Sequence, residues 1–371
     1  MSTTGRHTVD VGALAPELGG DAVDVRVAYE TWGTPRRDGT GAVVNAVLVE
    51  HALTGDAHVA GPAGPDQPTP GWWDALVGPG RPLDTDRWWV VCANVLGGCR
   101  GTSGPATPAA DGRRLGSRFP RITVRDQVEV ERRLADRLAV QRFATVLGGS
   151  MGGMRALEWL VTHPDRVASA LLLATCAASS ADQIGVQTVQ LQAVTGDPAW
   201  AGGDFDAGAP PAAGLGLARR IAHLTYRTGY ELQERFGRAA QPGEDPLAAL
   251  TAAHPGRYAV TSYLDHHAAK LVARFDAGSY VTLTDAMNTH DVGRGRGGTA
   301  AALAGVRTPV VVAGIEGDRL YPLWQQEEIA RLVPSADGFD VVESPYGHDG
   351  FLIEVEAVGK LVQRTLQLAE L

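Results

Sequence analysis

Residues 148–152 read Gly148-Gly149-Ser150-Met151-Gly152, between the apolar run Phe143–Leu147 and the helical stretch Met154–Leu160. This is the pattern of a nucleophile elbow. A sharp strand-to-helix turn lifts the serine hydroxyl clear of a sheet, and small residues flank it because the turn has no room for Cβ atoms. With 46 glycines in 371 residues the pentapeptide alone is easily matched by chance. Its place between strand and helix gives it weight. A serine hydroxyl is unreactive at neutral pH, so it needs a base to take its proton and an acid to orient that base.

Late loops supply both. Asp318 lies in Ile315-Glu316-Gly317-Asp318-Arg319-Leu320-Tyr321-Pro322, after the apolar run Thr308–Gly314. His348 lies in Ser344-Pro345-Tyr346-Gly347-His348-Asp349-Gly350, after Phe339–Glu343. The order serine, acid, histidine and the strand-end positions suit a triad at the carboxyl edge of an α/β sheet. Singly, Asp318 reads as well as a turn residue and His348 as a surface imidazole; Glu316 is an alternative acid. Acyl chemistry also needs an oxyanion hole. One N–H comes from Met151, and the loop His51-Ala52-Leu53-Thr54-Gly55 after Val47–Glu50 offers the other. Leu53 is the expected donor, with Ala52 and Thr54 as neighbouring alternatives.

The elements that must hold these groups can be read from the pattern. Val23–Tyr29 alternates polar and apolar residues like a half-buried strand suited to a sheet edge. Ala46–Val49, Trp88–Ala93, Phe143–Leu147 and Ala170–Ala174 are continuous apolar runs, as in parallel strands buried on both faces. Val124–Ala139 has near-helical spacing behind Thr123 as an N-cap. Strands alternating with helices imply an α/β fold with a doubly wound, mostly parallel sheet. From Ala177 to about Leu303 helical periodicities dominate, then strand signals return at Thr308–Gly314 and Phe339–Glu343 before a last helix over Glu354–Leu368. The predicted organisation is a core domain from residues 1–176 and 304–371, interrupted by a helical lid insertion over 177–303.

Composition narrows the function. Hydrophobic residues make up 44% and charged residues 20%, as in ordinary globular chains. A formal charge of −9 argues against a nucleic-acid backbone as main partner. No apolar run is long enough for a membrane span, and the start MSTTGRHTVD lacks a secretion signal, so a cytoplasmic protein is expected. Cys92, Cys99 and Cys176 have no paired metal-ligand spacing and suit free thiols. His266-His267 lacks the i, i+4 spacing of a helical metal pair, and no metal is expected. Trp72-Trp73 and Trp88-Trp89 read as packing under a loop.

Over nearly its whole length the sequence resembles the homoserine O-acetyltransferases, a family with the α/β-hydrolase fold. The resemblance rests on His51–His58, on Asn94–Cys99 with Gly101–Pro105, on Gly148–Gly153, on Arg274–Tyr280 and Asp291–Gly295, and on Gly347–Leu352. It implies a ping-pong reaction in which Ser150 takes an acetyl group from acetyl-CoA and His348 then activates the hydroxyl of L-homoserine. It implies acetyl-CoA as a co-substrate with no permanently bound cofactor. It also matches Arg219, rather than Arg220, to the arginine that holds the acceptor, Tyr226 to a substrate-contacting tyrosine, and Asp349 to the group receiving the acceptor's amine. Apart from the resemblance, Arg219 reads as a solvated helix charge or a phosphate contact to CoA, Tyr226 as a packed aromatic and Asp349 as a turn former.

Succinyl-using relatives would be expected to carry an arginine two residues after the triad aspartate; here that position is Leu320, with Arg319 beside it. The alternatives are a serine or secondary-metabolite O-acyltransferase with an acetyl or succinyl donor, and a carboxylesterase. The resemblance further implies a homodimer formed through the lid, and a lid has a chemical rationale in keeping water from an acyl-serine.

Overall fold

A computed structural model describes residues 6–64, 67–248 and 256–370. Its centre is an eight-stranded sheet. The strands are β1 (His7–Leu14), β2 (Val23–Trp32), β3 (Ala46–Glu50), β4 (Trp89–Ala93), β5 (Phe143–Gly149), β6 (Val167–Leu173), β7 (Val310–Ile315) and β8 (Ala336–Val342). They lie in the order β1-β2-β4-β3-β5-β6-β7-β8. From β4 to β8 every pairing is parallel, whereas β1 and β2 run antiparallel to their neighbours. All residues of β3, β4 and β7 are buried, which is why their sequences are unbroken apolar runs rather than alternating ones.

The strand read over Val23–Tyr29 is present but is not the edge. β1 pairs outside it. A register shift between Asp10 and Gly12 breaks the alternation of β1, so the true edge strand carries little periodic signal.

Helices cover both faces of the sheet. On one face lie α1 (Val124–Arg137) and α2 (Met151–Thr162), whose Val128, Ala135, Leu157 and Trp159 pack against Leu48, Val91, Val146 and Val312. Thr123 opens α1 with a capping box: its side chain accepts the Asp126 N–H, and the Asp126 carboxylate accepts the Thr123 N–H.

Between β6 and β7 the chain forms α3 (Ala181–Thr195), α4 (Ala212–Tyr226), α5 (Gly229–Phe236), α6 (Ala259–Val272), α7 (Ala277–Asn288) and α8 (Thr299–Ala304). There α4 packs on α3 and α6, and α7 on α3. Then α9 (Leu323–Leu332) joins the face of α1 and α2, the short α10 (Gly350–Ile353) follows, and α11 (Val355–Leu368) covers the opposite face through Val358, Leu361 and Val362. The sheet is doubly wound.

The helices between β6 and β7 cross the carboxyl edge of the sheet, where a separate apolar cluster joins the two. Leu53, Met151, Met154, Leu320 and Tyr321 from the sheet side meet Leu215, Leu271, Phe275 and Tyr280 from the helices. This layer roofs the loops that carry the candidate chemistry. Among the described residues no helix is long and apolar enough to cross a membrane.

Candidate active site

Ser150 stands between β5 and α2 with φ 57° and ψ −125°, a conformation L-residues rarely adopt. Neighbouring contacts hold it there. Its N–H donates to the Leu173 carbonyl at 3.0 Å and its own carbonyl accepts the Thr175 hydroxyl at 2.9 Å. The flanking glycines are required by space: a Cβ on Gly152 would lie 2.1 Å from the Glu50 carbonyl oxygen, and one on Gly148 2.2 Å from that of Gly152. The elbow is therefore wedged against the end of β3.

The two late loops converge as their order implied. His348 Nδ1 lies 2.7 Å from Asp318 Oδ2, with both residues buried. A carboxylate only accepts, so Nδ1 carries the proton and Nε2 is left as the base. Burial opposes charge on His348, but the charge and hydrogen bond of Asp318 outweigh it and raise its pKa above the ordinary imidazole value. Oδ1 of Asp318 accepts the N–H groups of Leu320 at 2.8 Å and Tyr321 at 2.9 Å. Glu316, the alternative acid, is exposed and has no part in the pair.

Leu53 and Met151 are both buried, and among the described residues neither N–H donates to a protein acceptor. Unpaired buried donors are rare, and at this position they suit a developing oxyanion. The Leu53 loop is anchored from below. His51 accepts the Val95 N–H through Nε2 at 3.1 Å and meets the Ala52 carbonyl through Nδ1 at 2.8 Å, so its ring is neutral, and burial holds its pKa down to about 3. Arg155, fully buried in α2, donates to the His51 carbonyl and lies 2.6 Å from Glu50 and 2.5 Å from Glu131. Burial, with the charge of Glu131 adding to it, holds Glu50 well above the usual carboxylate range despite Arg155.

The other sequence-predicted groups gather beside His348. The Tyr226 ring, at the end of α4, is 5.7 Å from the His348 ring, and the Arg219 guanidinium lies 5.2 Å from the Tyr226 ring. Nε and Nη1 of Arg219 are buried without a hydrogen-bond partner among the described residues, whereas Arg220 is held by Asp265 on α6 at 2.8 Å. The two adjacent arginines thus differ in their partners. Asp349 receives Arg227 Nη1 at 3.2 Å. Burial raises its pKa, opposed by His348, Arg227 and Arg219.

Leu320 is buried with Leu53 and Met151, while Arg319 points away, exposed, to the Leu224 carbonyl. A cavity of about 270 Å³ opens next to Arg219, lined also by Thr54, Asp56, Trp72, His267, Lys270 and Arg274. A larger one of about 650 Å³, beside Asp24, Arg26 and Cys99, is lined by none of Ser150, Asp318, His348, Leu53, Met151, Arg219, Tyr226 or Asp349. Among the described residues no cluster of histidine, cysteine or acidic side chains could hold a metal ion.

This geometry lies on a chain that a family model described as the alpha/beta hydrolase fold matches over residues 45–355. The homoserine O-acetyltransferase of Mycobacterium sp. (strain KMS) is 58% identical over 365 residues, which are 98% of this chain and 95% of the relative. The chain belongs to the homoserine O-acetyltransferase family. A crystal structure of a homoserine O-acetyltransferase from Bacillus anthracis superposes with a TM-score of 0.88 at 23% identity, over 99% of this chain and 98% of that one. The crystal structure of esterase E22 gives 0.86 at 22% identity, over 98% of this chain and 100% of that one, and shares the fold.

Two features of this homoserine O-acetyltransferase family member escaped sequence reading. Arg227, next to Tyr226, pairs with Asp349 across the site, and nothing in helix periodicity marks it. Tyr321 buries its ring 5.2 Å from that of His348, with its hydroxyl toward Ser150. Its backbone N–H donates to Asp318 Oδ1, which ties this part of the loop to the triad acid.

Proposed function

We propose that the chain carries out the reaction for which its family is named: transfer of an acetyl group from acetyl-CoA to the hydroxyl of L-homoserine, the O-acetylation step of methionine biosynthesis. One juxtaposition carries this reading. Beside the His348–Asp318 pair, which would serve Ser150 as base and orienting acid, stand a cation with unpaired nitrogens, Arg219, and a carboxylate, Asp349. A plain esterase has no need of such a pair, whereas a zwitterionic acceptor must be held at both its carboxylate and its ammonium.

In the first half-reaction His348 Nε2 takes the Ser150 proton, the hydroxyl oxygen attacks the thioester carbonyl, and the Leu53 and Met151 N–H groups receive the oxyanion. His348 then gives its proton to the departing thiol. In the second half-reaction the neutral imidazole deprotonates the homoserine hydroxyl, which attacks the acetyl-serine, and Ser150 regains its proton. Arg219 binds the acceptor carboxylate, Asp349 its ammonium, and Tyr226 packs beside it. An apolar Leu320 offers no counter-charge to a succinyl carboxylate, which favours acetyl. Lys270 and Arg274 line the cavity next to Arg219 and suit the phosphates of a CoA that comes and goes as co-substrate.

The helices between β6 and β7 act as a lid that keeps water from the acetyl-serine. Exposed Ile184 and Val189 on α3 with Leu217 and Leu224 on α4 give that lid an apolar outer face, which supports a homodimer formed through it. Three free thiols suit a cytoplasmic setting.

The test follows thiol release from acetyl-CoA alone, with L-homoserine and with L-serine. The reading expects one equivalent released without acceptor, sustained turnover with homoserine, and loss of both in Ser150→Ala. Sustained release without acceptor would establish a hydrolase instead, and preference for serine would reassign the acceptor.

A further inference from the structure

Asp349 is offered to the acceptor's ammonium in the reading above, yet its Oδ2 already faces Arg227 Nη1 at 3.2 Å. A carboxylate neutralised by an arginine is a poor ammonium receptor. The structure resolves this conflict through Glu231. Its carboxylate takes Arg227 Nη2 at 2.9 Å and Nε at 3.3 Å, a two-pronged grip from the first turn of α5. Arg227 is thus engaged along one edge by Glu231 and gives one hydrogen bond, from Nη1, to Asp349. Oδ1 of Asp349 receives no protein donor among the described residues.

Charge balance favours the same view. Glu231 offsets Arg227 and also meets the half-exposed Arg235 at 3.4 Å, so beside His348 and Tyr226 the charges left to face an acceptor are Arg219 and Asp349, the mirror of a zwitterion. The pair is rigidly placed: both side chains are buried, and Arg227 stacks 4.9 Å from the Tyr346 ring in the loop that carries His348. The turn between α4 and α5 is tied to that loop again where the Thr228 hydroxyl donates to the Pro345 carbonyl at 2.6 Å.

We infer that Arg227, gripped by Glu231, is a positioning residue for the acceptor half-reaction: it orients Asp349 and keeps it ionised without consuming the oxygen that receives the ammonium. The inference rests on the acceptor reading of Asp349. The charged and titratable groups facing that carboxylate are His348 beside it, Arg219 and Tyr226 from α4, Arg227 after α4 and Tyr263 from α6. Burial already pushes the carboxyl pKa up, so removing Arg227 moves it further toward the neutral form.

The experiment compares the intact chain with Arg227→Gln, Arg227→Lys and Glu231→Gln. It measures single-turnover acetylation by acetyl-CoA, and KM for L-homoserine on the acid and alkaline sides of neutrality. Arg227→Gln is expected to raise the homoserine KM about tenfold or more, most at acid pH, with acetylation within about twofold of the parent. Arg227→Lys recovers part of the loss. Glu231→Gln, which frees Arg227 to claim Asp349, also raises KM but without the acid-side excess.

Proportional losses in both half-reactions, or an unchanged KM in Arg227→Gln, would overturn the inference. If Arg227→Gln fails to fold, the Lys and Glu231 variants decide it by the same readouts. If the parent chain is acetylated but ignores homoserine, the acceptor reading itself falls and takes this inference with it.

Discussion

Oδ2 of Asp318 meets Nδ1 of His348 at 2.7 Å while its Oδ1 is fixed by two backbone N–H groups of the same loop. The aspartate is therefore oriented before the histidine reaches it, and the imidazole tautomer follows from a carboxylate that can only accept. In the proposed mechanism this pair sets both the direction of proton transfer and its pH range.

Asp318→Asn removes the charge and offers an amide donor where His348 needs an acceptor, which favours the wrong tautomer. A fall of about 10³–10⁴ in kcat is expected. The pH profile should move as well. His348 works as a base when neutral, so activity rises with pH through its pKa, which Asp318 holds above the ordinary value. Without that charge burial dominates, and the acid limb of kcat/KM for acetyl-CoA shifts to lower pH. A limb that stays in place would mean that another group controls it.

Arg219 and Arg220 are adjacent but differ in partners, and their alanine variants should separate. Arg219→Ala removes the unpaired cation and should raise the homoserine KM by about 10–100-fold while leaving the acetylation burst intact. Arg220→Ala breaks a partly exposed pair with Asp265, so it should leave KM unchanged and alter stability by no more than about 1 kcal/mol. Steady-state kinetics with each variant checks both. Equal effects on KM would erase the distinction.

The residues legible in the sequence are those whose signal is local. Ser150 shows itself by a strand, a glycine turn and a helix in immediate succession. Asp318 and His348 each follow an apolar run, and Leu53 follows another. The pairing of Arg227 with Asp349 spans 122 positions and the grip of Arg155 on the His51 carbonyl spans 104, so neither leaves a periodic trace. β1 was hidden for a different reason: its register shift interrupts the alternation by which a half-buried strand is recognised. The neighbouring strand, with its cleaner alternation, looked like the edge.

Arg155 should be worth more to folding than any surface arginine. It is fully buried between Glu50 and Glu131 and holds the loop that presents Leu53. Arg155→Met leaves the buried Glu131 carboxylate and the His51 carbonyl without the guanidinium that pairs with them, and a loss of about 3–5 kcal/mol is expected. The exposed Lys360–Glu356 pair provides the contrast, since Lys360→Ala should stay within about 0.5 kcal/mol. Urea unfolding followed by tryptophan fluorescence measures both. Comparable losses would mean that the buried cluster contributes no more than a solvated one.

Tyr321 offers the opposite sign. Its side chain is fully buried, and its hydroxyl lies toward Ser150 without a hydrogen-bond partner among the described residues. Burial pushes the phenol pKa well up, so the group stays neutral and keeps its proton. A buried hydroxyl that gives up water and finds no partner costs about 1–3 kcal/mol, and removing it without changing the ring's shape recovers part of that. Tyr321→Phe should therefore raise the urea midpoint with an unchanged slope, equivalent to about 1 kcal/mol. The ring packing against His348 would remain. A lower midpoint would show that the hydroxyl has a partner in the folded state, and Ser150 is the side chain placed to be it.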